Sequence, residues 1–277
     1  MLQLDPDCEP LGRGCFGTFL LMIRSGRPFS SVIAGALSLS AVWMHGGFSI
    51  RAILMGLAMW VVTMFGFVIN DIFDYNKDAT AGVIRPIATN SLSRPAALMF
   101  SATLLVVAWL LSALVVNGMT VMVLTALALI LYTPFAQCLP LLKGLYVAGL
   151  CLFPLYYAST VSDVRASWRA YAVLMLFVAG RETLMDADEV EGDRHAGMRT
   201  IAVALGRTHA RHIGIAMMIA ATACLIWVAQ GLLGKGLAIL SNIMLLSLLR
   251  WRNVEEGRRL QLSRVPMLLA ALAVASA

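Results

Sequence analysis

Runs of about twenty apolar residues recur along nearly the whole of this chain, and they leave it very few folds. A helix of that length crosses the roughly 30 Å hydrocarbon core of a bilayer. Inside hydrocarbon every backbone N–H and C=O must be satisfied within the protein, which restricts spanning structure to helices and closed barrels. Runs of this length read as helices, and their weak helix-period contrast is that of helices apolar nearly all round. Nine stretches are candidates on that ruler, at about 28–45, 51–70, 95–115, 118–136, 141–159, 168–185, 208–229, 233–249 and 264–277, the last of them short. Residues 14–24 form an apolar lead-in too short to be a separate span. Of the 277 residues 60% are hydrophobic and 13% charged, against about 45–50% and 25% in soluble domains. The expectation is an all-α, polytopic membrane bundle of about nine transmembrane helices, forming a single domain over residues 1–277.

Charge placement orients it. With the N-terminus on the cytoplasmic side, nine spans leave only Arg51, Arg165, Arg169 and Lys235 outside. The other basic residues lie inside, as the positive-inside rule requires. Asp5, Asp7 and Glu9 stand where a cleaved signal peptide would carry positive charge. The net charge of +6 is therefore mainly a topology signal. No basic stripe interleaved with aromatics points to nucleic acid. Arg250, Arg252, Arg258 and Arg259 read as a loop facing anionic headgroups. The five cysteines are odd in number and scattered, which fits packing thiols better than disulfides.

Of the fifteen acids, every one but Asp163 falls on the inner side. Orientation does not demand this, because acids contribute little to it. Most of them form two clusters, each closing an apolar run. In the first, Asp71, Asp74 and Asp78 share one helical face, with Asn70 one turn from Asp74. In the second, Glu182, Asp186, Glu189 and Asp193 form one stripe, while Asp188 and Glu191 point away into solvent. Like charges on one face repel, and carboxylates at a bilayer edge are costly unless paired or bound to a cation. Ordinary capping acids would explain either cluster alone but must be invoked twice. A divalent ion with oxygen ligands removes the repulsion in both, and Mg²⁺ typically takes one or two carboxylates plus phosphate oxygens. Lys77 and Arg85 follow the first cluster, and Arg181, Arg194 and Arg199 surround the second. Acids on metal with cations on the remaining oxygens is a general solution for holding a diphosphate. Four spans separate the clusters, which suggests an internal duplication of four-helix units over about 28–136 and 141–249.

The motifs also carry a resemblance. Asn70-Asp71-Ile72-Phe73-Asp74-Tyr75-Asn76-Lys77-Asp78 followed by Arg85-Pro86-Ile87 resembles the first signature of the UbiA-type intramembrane prenyltransferases. Gly180-Arg181-Glu182-Thr183-Leu184-Met185-Asp186, then Val190-Glu191-Gly192-Asp193-Arg194 and Gly197-Met198-Arg199-Thr200, resembles the second. The likeness is strongest to the branch holding digeranylgeranylglyceryl phosphate synthases and homogentisate prenyltransferases. It implies nine helices around a central cavity open to lipid, and a polyprenyl diphosphate bound through Mg²⁺ between the motifs. Carried over by position, Asn70, Asp74, Glu189 and Asp193 are the implied metal ligands. Asp71, Asp78, Glu182 and Asp186 support them, Lys77, Arg85 and Arg199 neutralise the diphosphate, and Tyr132 faces the site. The chain departs from the pattern in several places. Glu189 stands where Asp is commoner, and Ala81-Gly82-Val83 replaces a more basic stretch. A Lys usual after Tyr132 is missing, with Gln137 near its place, and Lys143-Gly144 replaces Gly-Asn.

The implied function is a Mg²⁺-dependent transfer of a geranyl, farnesyl or geranylgeranyl group from its diphosphate to an aromatic or other lipophilic acceptor. Apolar and aromatic walls must keep water from the allylic cation, and Trp60, Phe67, Phe73 and Tyr75 are either such walls or ordinary packing. His195 is read as a solvated loop histidine. Two rivals remain. A terpene cyclase of the same fold would need no acceptor. A transporter would carry its polar site near the midplane, whereas these acids gather on one face.

Overall fold

A computed structural model describes residues 14–46, 49–80, 82–115, 117–161, 167–195, 197–250 and 264–275. Asp5, Asp7, Glu9, Ala81, Asp163, Arg165, Arg252, Arg258 and Arg259, named above, lie outside them. The described residues contain helices and turns but no strand. A short α1 (Cys15–Ser25) leads into α2 (Pro28–Gly46) and α3 (Ile50–Phe73). A single-turn α4 (Tyr75–Thr80) precedes α5 (Arg94–Ala113) and α6 (Gly118–Cys138). Then come α7 (Lys143–Leu150), α8 (Phe153–Val161) and α9 (Trp168–Asp188). Two short helices, α10 (Val190–His195) and α11 (Ile201–Leu205), lead to α12 (Arg207–Val228), α13 (Gly231–Arg250) and α14 (Arg264–Ala275).

Each of the nine apolar stretches is helical where described. Among the described residues, five segments are long and apolar enough to cross a membrane: Ile50–Phe73, Arg94–Ala113, Gly118–Cys138, Pro140–Thr160 and Arg207–Val228. Shorter apolar helical segments run over Cys15–Ser25, Pro28–Trp43, Gly231–Ser247 and Arg264–Val274, and α9 carries Arg169, Arg181, Glu182, Asp186 and Asp188. Three long helices start on a serine that caps an orphan backbone amide: Ser49 accepts from Ala52, Ser93 from Ala96 and Ser167 from Ala170. The stretch expected as one helix at 141–159 is divided. A 3₁₀ turn over Pro140–Leu142 precedes α7, and the chain turns again at Cys151–Leu152. Pro154 accounts for the second break, since it lacks an amide donor and is tolerated only in the first turn of a new helix. Its own carbonyl accepts a bond from the buried Ser38 hydroxyl at 3.1 Å. The segments at 71–94 and 186–207, which carry the two acidic clusters between apolar stretches, are partly helical, through α4, α10 and α11.

The long helices pack on one another nearly in chain order, α2 on α3, α3 on α5 and α6, then α6, α7, α9, α12, α13 and α14, which returns to α2. Without a hydrophobic drive between helices in lipid, close approach depends on small residues. A Cβ on Gly180 of α9 would lie 2.7 Å from the Gly214 carbonyl oxygen of α12, and one on Gly214 would lie 2.6 Å from the Gly180 oxygen. Gly35 and Gly56 make the same contact between α2 and α3. Met55, Met59, Met122, Phe177 and Met218 fill the interior, while Leu110, Leu131, Trp227 and Leu232 lie exposed on its outside. That distribution suits a bundle whose solvent is lipid.

Candidate active site

The two acidic clusters are built on the same backbone pattern. α3 ends at Phe73 with Asp74 as its cap, the Asp74 amide bonding to the Asn70 carbonyl at 2.8 Å. Glu189 caps α9 in the same way, on the Met185 carbonyl at 3.1 Å. One turn later the Asp78 amide bonds to the Asp74 carbonyl and the Asp193 amide to that of Glu189. The chain then turns through Gly82 at φ +67° and Gly197 at φ +69°, a conformation that suits glycine. The Val83 amide closes on Asp78 and the Met198 amide on Asp193, each at 2.9 Å. Asp71 and Asp186, Asp74 and Glu189, Asp78 and Asp193, and Gly82 and Gly197 are each 115 residues apart. Both helices break at the middle acid, yet the i to i+4 bonds across each break preserve the acidic faces expected of them.

Side chains bring the clusters to one place. Lys77 Nζ lies 3.2 Å from Asp193 Oδ1, joining the first cluster to the second. The Arg85 guanidinium also feels the Glu189 carboxylate. Tyr132, half-buried on α6, lies within electrostatic reach of Lys143, Glu182, Asp74 and Asp186. The neighbouring Thr133 hydroxyl donates to Asn70 Oδ1 at 2.9 Å.

The acids divide into two sets. Asp71, Asp78 and Asp186 are buried and held by cations. Asp71 accepts from Arg27 at 2.5 Å and from Arg85 at 3.3 Å, Asp78 from Arg85 at 2.5 Å, and Asp186 from Lys143 at 2.5 Å. Glu182 lies 3.5 Å from Arg181. Asp74 and Glu189 make no ion pair among the described residues. Asp193 is fully buried, and its Oδ2 has no hydrogen-bond partner while Oδ1 faces Lys77. Burial pushes the Asp74 carboxyl above the usual carboxylate range, with Asp78 adding to the effect and Lys77 opposing it. Burial alone would weaken the Arg85 guanidinium as a base, but Asp71 and Asp78 outweigh it and hold the proton more firmly than usual.

Among the described residues no three of His, Cys, Asp and Glu converge into a ready-made metal centre. The ion pairs explain why, since three acids that would otherwise gather around a cation already have one. The remaining donors still fit a hard dication. Asn70, Asp74, Glu189 and Asp193 offer oxygen only, and the orphaned Asp193 Oδ2 is a buried acceptor that such an ion would satisfy.

Other residues singled out in the sequence lie around the clusters. Arg199 is exposed and makes no ion pair among the described residues. Asp188 is not simply solvated, because Arg211 of α12 reaches it at 3.0 Å. Glu191 is exposed beside Arg194, as expected. Trp60 Nε1 donates to the Pro28 carbonyl, and Tyr75 bonds to Asn90 beneath the Arg94 guanidinium, so both act in packing. Exposed His195 lies 2.7 Å from the Glu191 carbonyl. Two cations at the site, Arg27 and Lys143, are not assigned to it by the sequence. Lys143 did leave a signal, because it lies within the expected 141–159 span, where an ionisable group needs a partner.

The profile of the UbiA prenyltransferase family matches residues 30–272. A digeranylgeranylglyceryl phosphate synthase of Thermococcus kodakarensis is 28% identical over 270 residues, covering 92% of this chain and 96% of its own. One from Halobacterium salinarum is 30% identical over 213 residues, 73% and 75% of the two chains. Among solved structures, the apo UbiA homolog of Aeropyrum pernix K1 superposes with a TM-score of 0.71 at 22% identity, over 88% of this chain and 96% of that one. The Archaeoglobus fulgidus homolog bound to GPP and Mg²⁺ superposes at 0.66 and 17% identity, over 93% and 100%. The structural likenesses establish the fold.

Proposed function

This chain belongs to the UbiA prenyltransferase family and is a prenyltransferase, and we propose that it ionises a polyprenyl diphosphate in a Mg²⁺-dependent reaction and transfers the prenyl group to a lipophilic acceptor. The single observation that carries this reading is the junction of the two clusters at Lys77 and Asp193, with Asp74, Glu189 and one Asp193 oxygen left unpaired beside it. The geranyl diphosphate and Mg²⁺ bound by the Archaeoglobus fulgidus homolog are the kind of ligands such a junction suits.

Asn70, Asp74, Glu189 and Asp193 would hold the metal, which when bound supplies charge to the departing diphosphate. Lys77 and Arg85 sit on the same side and neutralise diphosphate oxygens, while Asp71 and Asp78 fix the Arg85 fork in place. Tyr132 faces the prenyl end from α6. The allylic C–O bond breaks, inorganic diphosphate leaves with the bonding electrons, and the acceptor forms a new bond to the allylic carbon and releases a proton. The apolar interior keeps water from the cation. The relatives' names describe a glyceryl phosphate carrying two geranylgeranyl groups, which favours transfer to an acceptor over cyclisation.

Nine spans around a central cavity, with both clusters on the cytoplasmic face, complete the reading. The shared 115-residue offset supports two four-helix repeats within one domain. Alanine at Asp74 and at Asp193 tests the reading: each variant is expected to lose Mg²⁺-dependent release of diphosphate, and normal turnover in either would refute it. Supplying geranyl, farnesyl and geranylgeranyl diphosphate without acceptor separates transfer from cyclisation, since cyclic hydrocarbons or alcohols would identify a cyclase.

A further inference from the structure

Lys143 is an ammonium at the head of α7, 8% exposed, with Nζ 2.5 Å from Asp186 Oδ1. Glu182, Glu189 and Tyr132 also lie within its electrostatic reach. Asp186 is the inner acid of the second cluster, three residues before the helix-capping Glu189. The first cluster repeats the arrangement, for its inner acid Asp71 stands three residues before Asp74 and accepts from Arg27 at 2.5 Å. In each cluster, therefore, the inner carboxylate is buried against a cation from outside its own motif. The capping acid in each is left unpaired among the described residues.

We propose that Lys143 is a built-in counter-cation that withdraws Asp186 from the cation-binding set, so that the second cluster binds metal through Glu189 and Asp193 alone. The inference rests on the reading of Glu189 and Asp193 as metal ligands. Its physical basis is simple. A buried carboxylate needs one compensating cation, and an ammonium held at 2.5 Å occupies the position a dication would need. The fixed positive charge also repels a dication that approaches Asp186. One consequence is an asymmetry of cost, because a metal that recruited Asp186 would leave the buried Lys143 ammonium without the ion-pair partner it now has.

Mn²⁺ binding to the full-length protein in detergent, followed by loss of the free-ion EPR signal with no substrate present, tests this. D186N is expected to bind Mn²⁺ within about twofold of wild type, because Asp186 contributes no bond to the ion. K143M is expected to bind about tenfold more tightly, because it frees a carboxylate and removes a nearby positive charge. The double variant K143M/D186N is expected to lose that gain. Tighter binding by K143M that D186N abolishes would establish the role. A tenfold loss in D186N alone would overturn it, as would unchanged or weaker binding in K143M. If K143M does not fold, D186N decides alone. Absence of Mn²⁺ binding in wild type and variants alike would overturn the metal reading of the site, and this inference with it. Binding by wild type that D186N cuts would overturn only the role of Lys143.

Discussion

Arg85 carries two ion pairs, and removing its charge is expected to destabilise the protein before any substrate is considered. The guanidinium reaches Asp78 at 2.5 Å and Asp71 at 3.3 Å. Its side chain is 26% exposed, while those of Asp78 and Asp71 are 8% and 2% exposed. In R85M, Asp71 keeps Arg27, whereas Asp78 loses the cation it pairs with and remains buried. Removing one partner of a fully buried pair costs about 3–5 kcal/mol. Water reaches Arg85 in part, so about 2–3 kcal/mol is the better figure here. At about 2–4 °C per kcal/mol for larger domains, the melting point should fall by roughly 4–12 °C. D78N keeps hydrogen-bonding groups beside Arg85 and should cost only about 1 kcal/mol. If the loss in R85M is a stranded charge, the double variant R85M/D78N should be more stable than R85M, with a coupling of about 1–2 kcal/mol. Thermal unfolding in detergent without divalent ions, at one fixed scan rate, reads all four proteins. An R85M protein that melts with wild type, or a double variant as unstable as the sum of its singles, would refute the reasoning.

Other outcomes follow from the same geometry. G180A places a methyl 2.7 Å from the Gly214 carbonyl oxygen, which forces α9 and α12 apart; a loss of about 1–3 kcal/mol is expected in the same unfolding assay, whereas wild-type melting would place the helices further apart than described. K77M removes the link between the clusters, and prenyl diphosphate affinity should fall about tenfold in a binding titration, in keeping with a lost charged contact worth about 1.5 kcal/mol or more; unchanged affinity would argue that Lys77 faces away from the ligand. Because the Asp74 carboxyl is raised by burial, it takes up a proton at a higher pH than an ordinary aspartate. Protons then compete with metal there, so Mn²⁺ affinity should weaken as pH falls through the mildly acidic range. Equal loss of that pH dependence in D74N would assign it, and a D74N protein with the wild-type profile would exclude it.

The sequence was most informative where the physics is local. Twenty-residue apolar runs dictate helices whatever their neighbours, so the helical stretches were legible, as was the acidic spacing that survives the breaks at Asp74 and Glu189. The division at Cys151–Leu152 was legible in principle, because Pro154 is written in the chain. What the sequence concealed is which cation meets which acid. Arg27 and Asp71 are 44 residues apart, Lys143 and Asp186 are 43 apart, and Lys77 and Asp193 are 116 apart. None of these pairings follows from helical periodicity, since each depends on how the helices meet in space. A count of positive charge can place Arg27 and Lys143 on the inner face, but it assigns them to anchoring because that needs no partner.

The ion pairs also bear on why two motifs with so many carboxylates can exist at a membrane edge before any metal arrives. If all the acids in both clusters awaited one dication, the metal-free protein would hold a stack of uncompensated buried charge, each part of it costing several kcal/mol. Instead Arg27, Arg85 and Lys143 neutralise three of the buried acids, Asp71, Asp78 and Asp186. The charge left over sits on half-buried Asp74, on exposed Glu189 and on the one oxygen of buried Asp193 that Lys77 does not face. A site arranged this way folds without its cation and still has oxygen donors to offer it. The division makes a further prediction. Charge-neutralising the inner acids with asparagine should chiefly cost stability, and the same change at Asp74 or Asp193 should chiefly cost turnover. Melting and diphosphate release measured on D71N and D74N side by side will separate the two, and equal loss of both properties in both variants would show that the acids act as one undivided cluster.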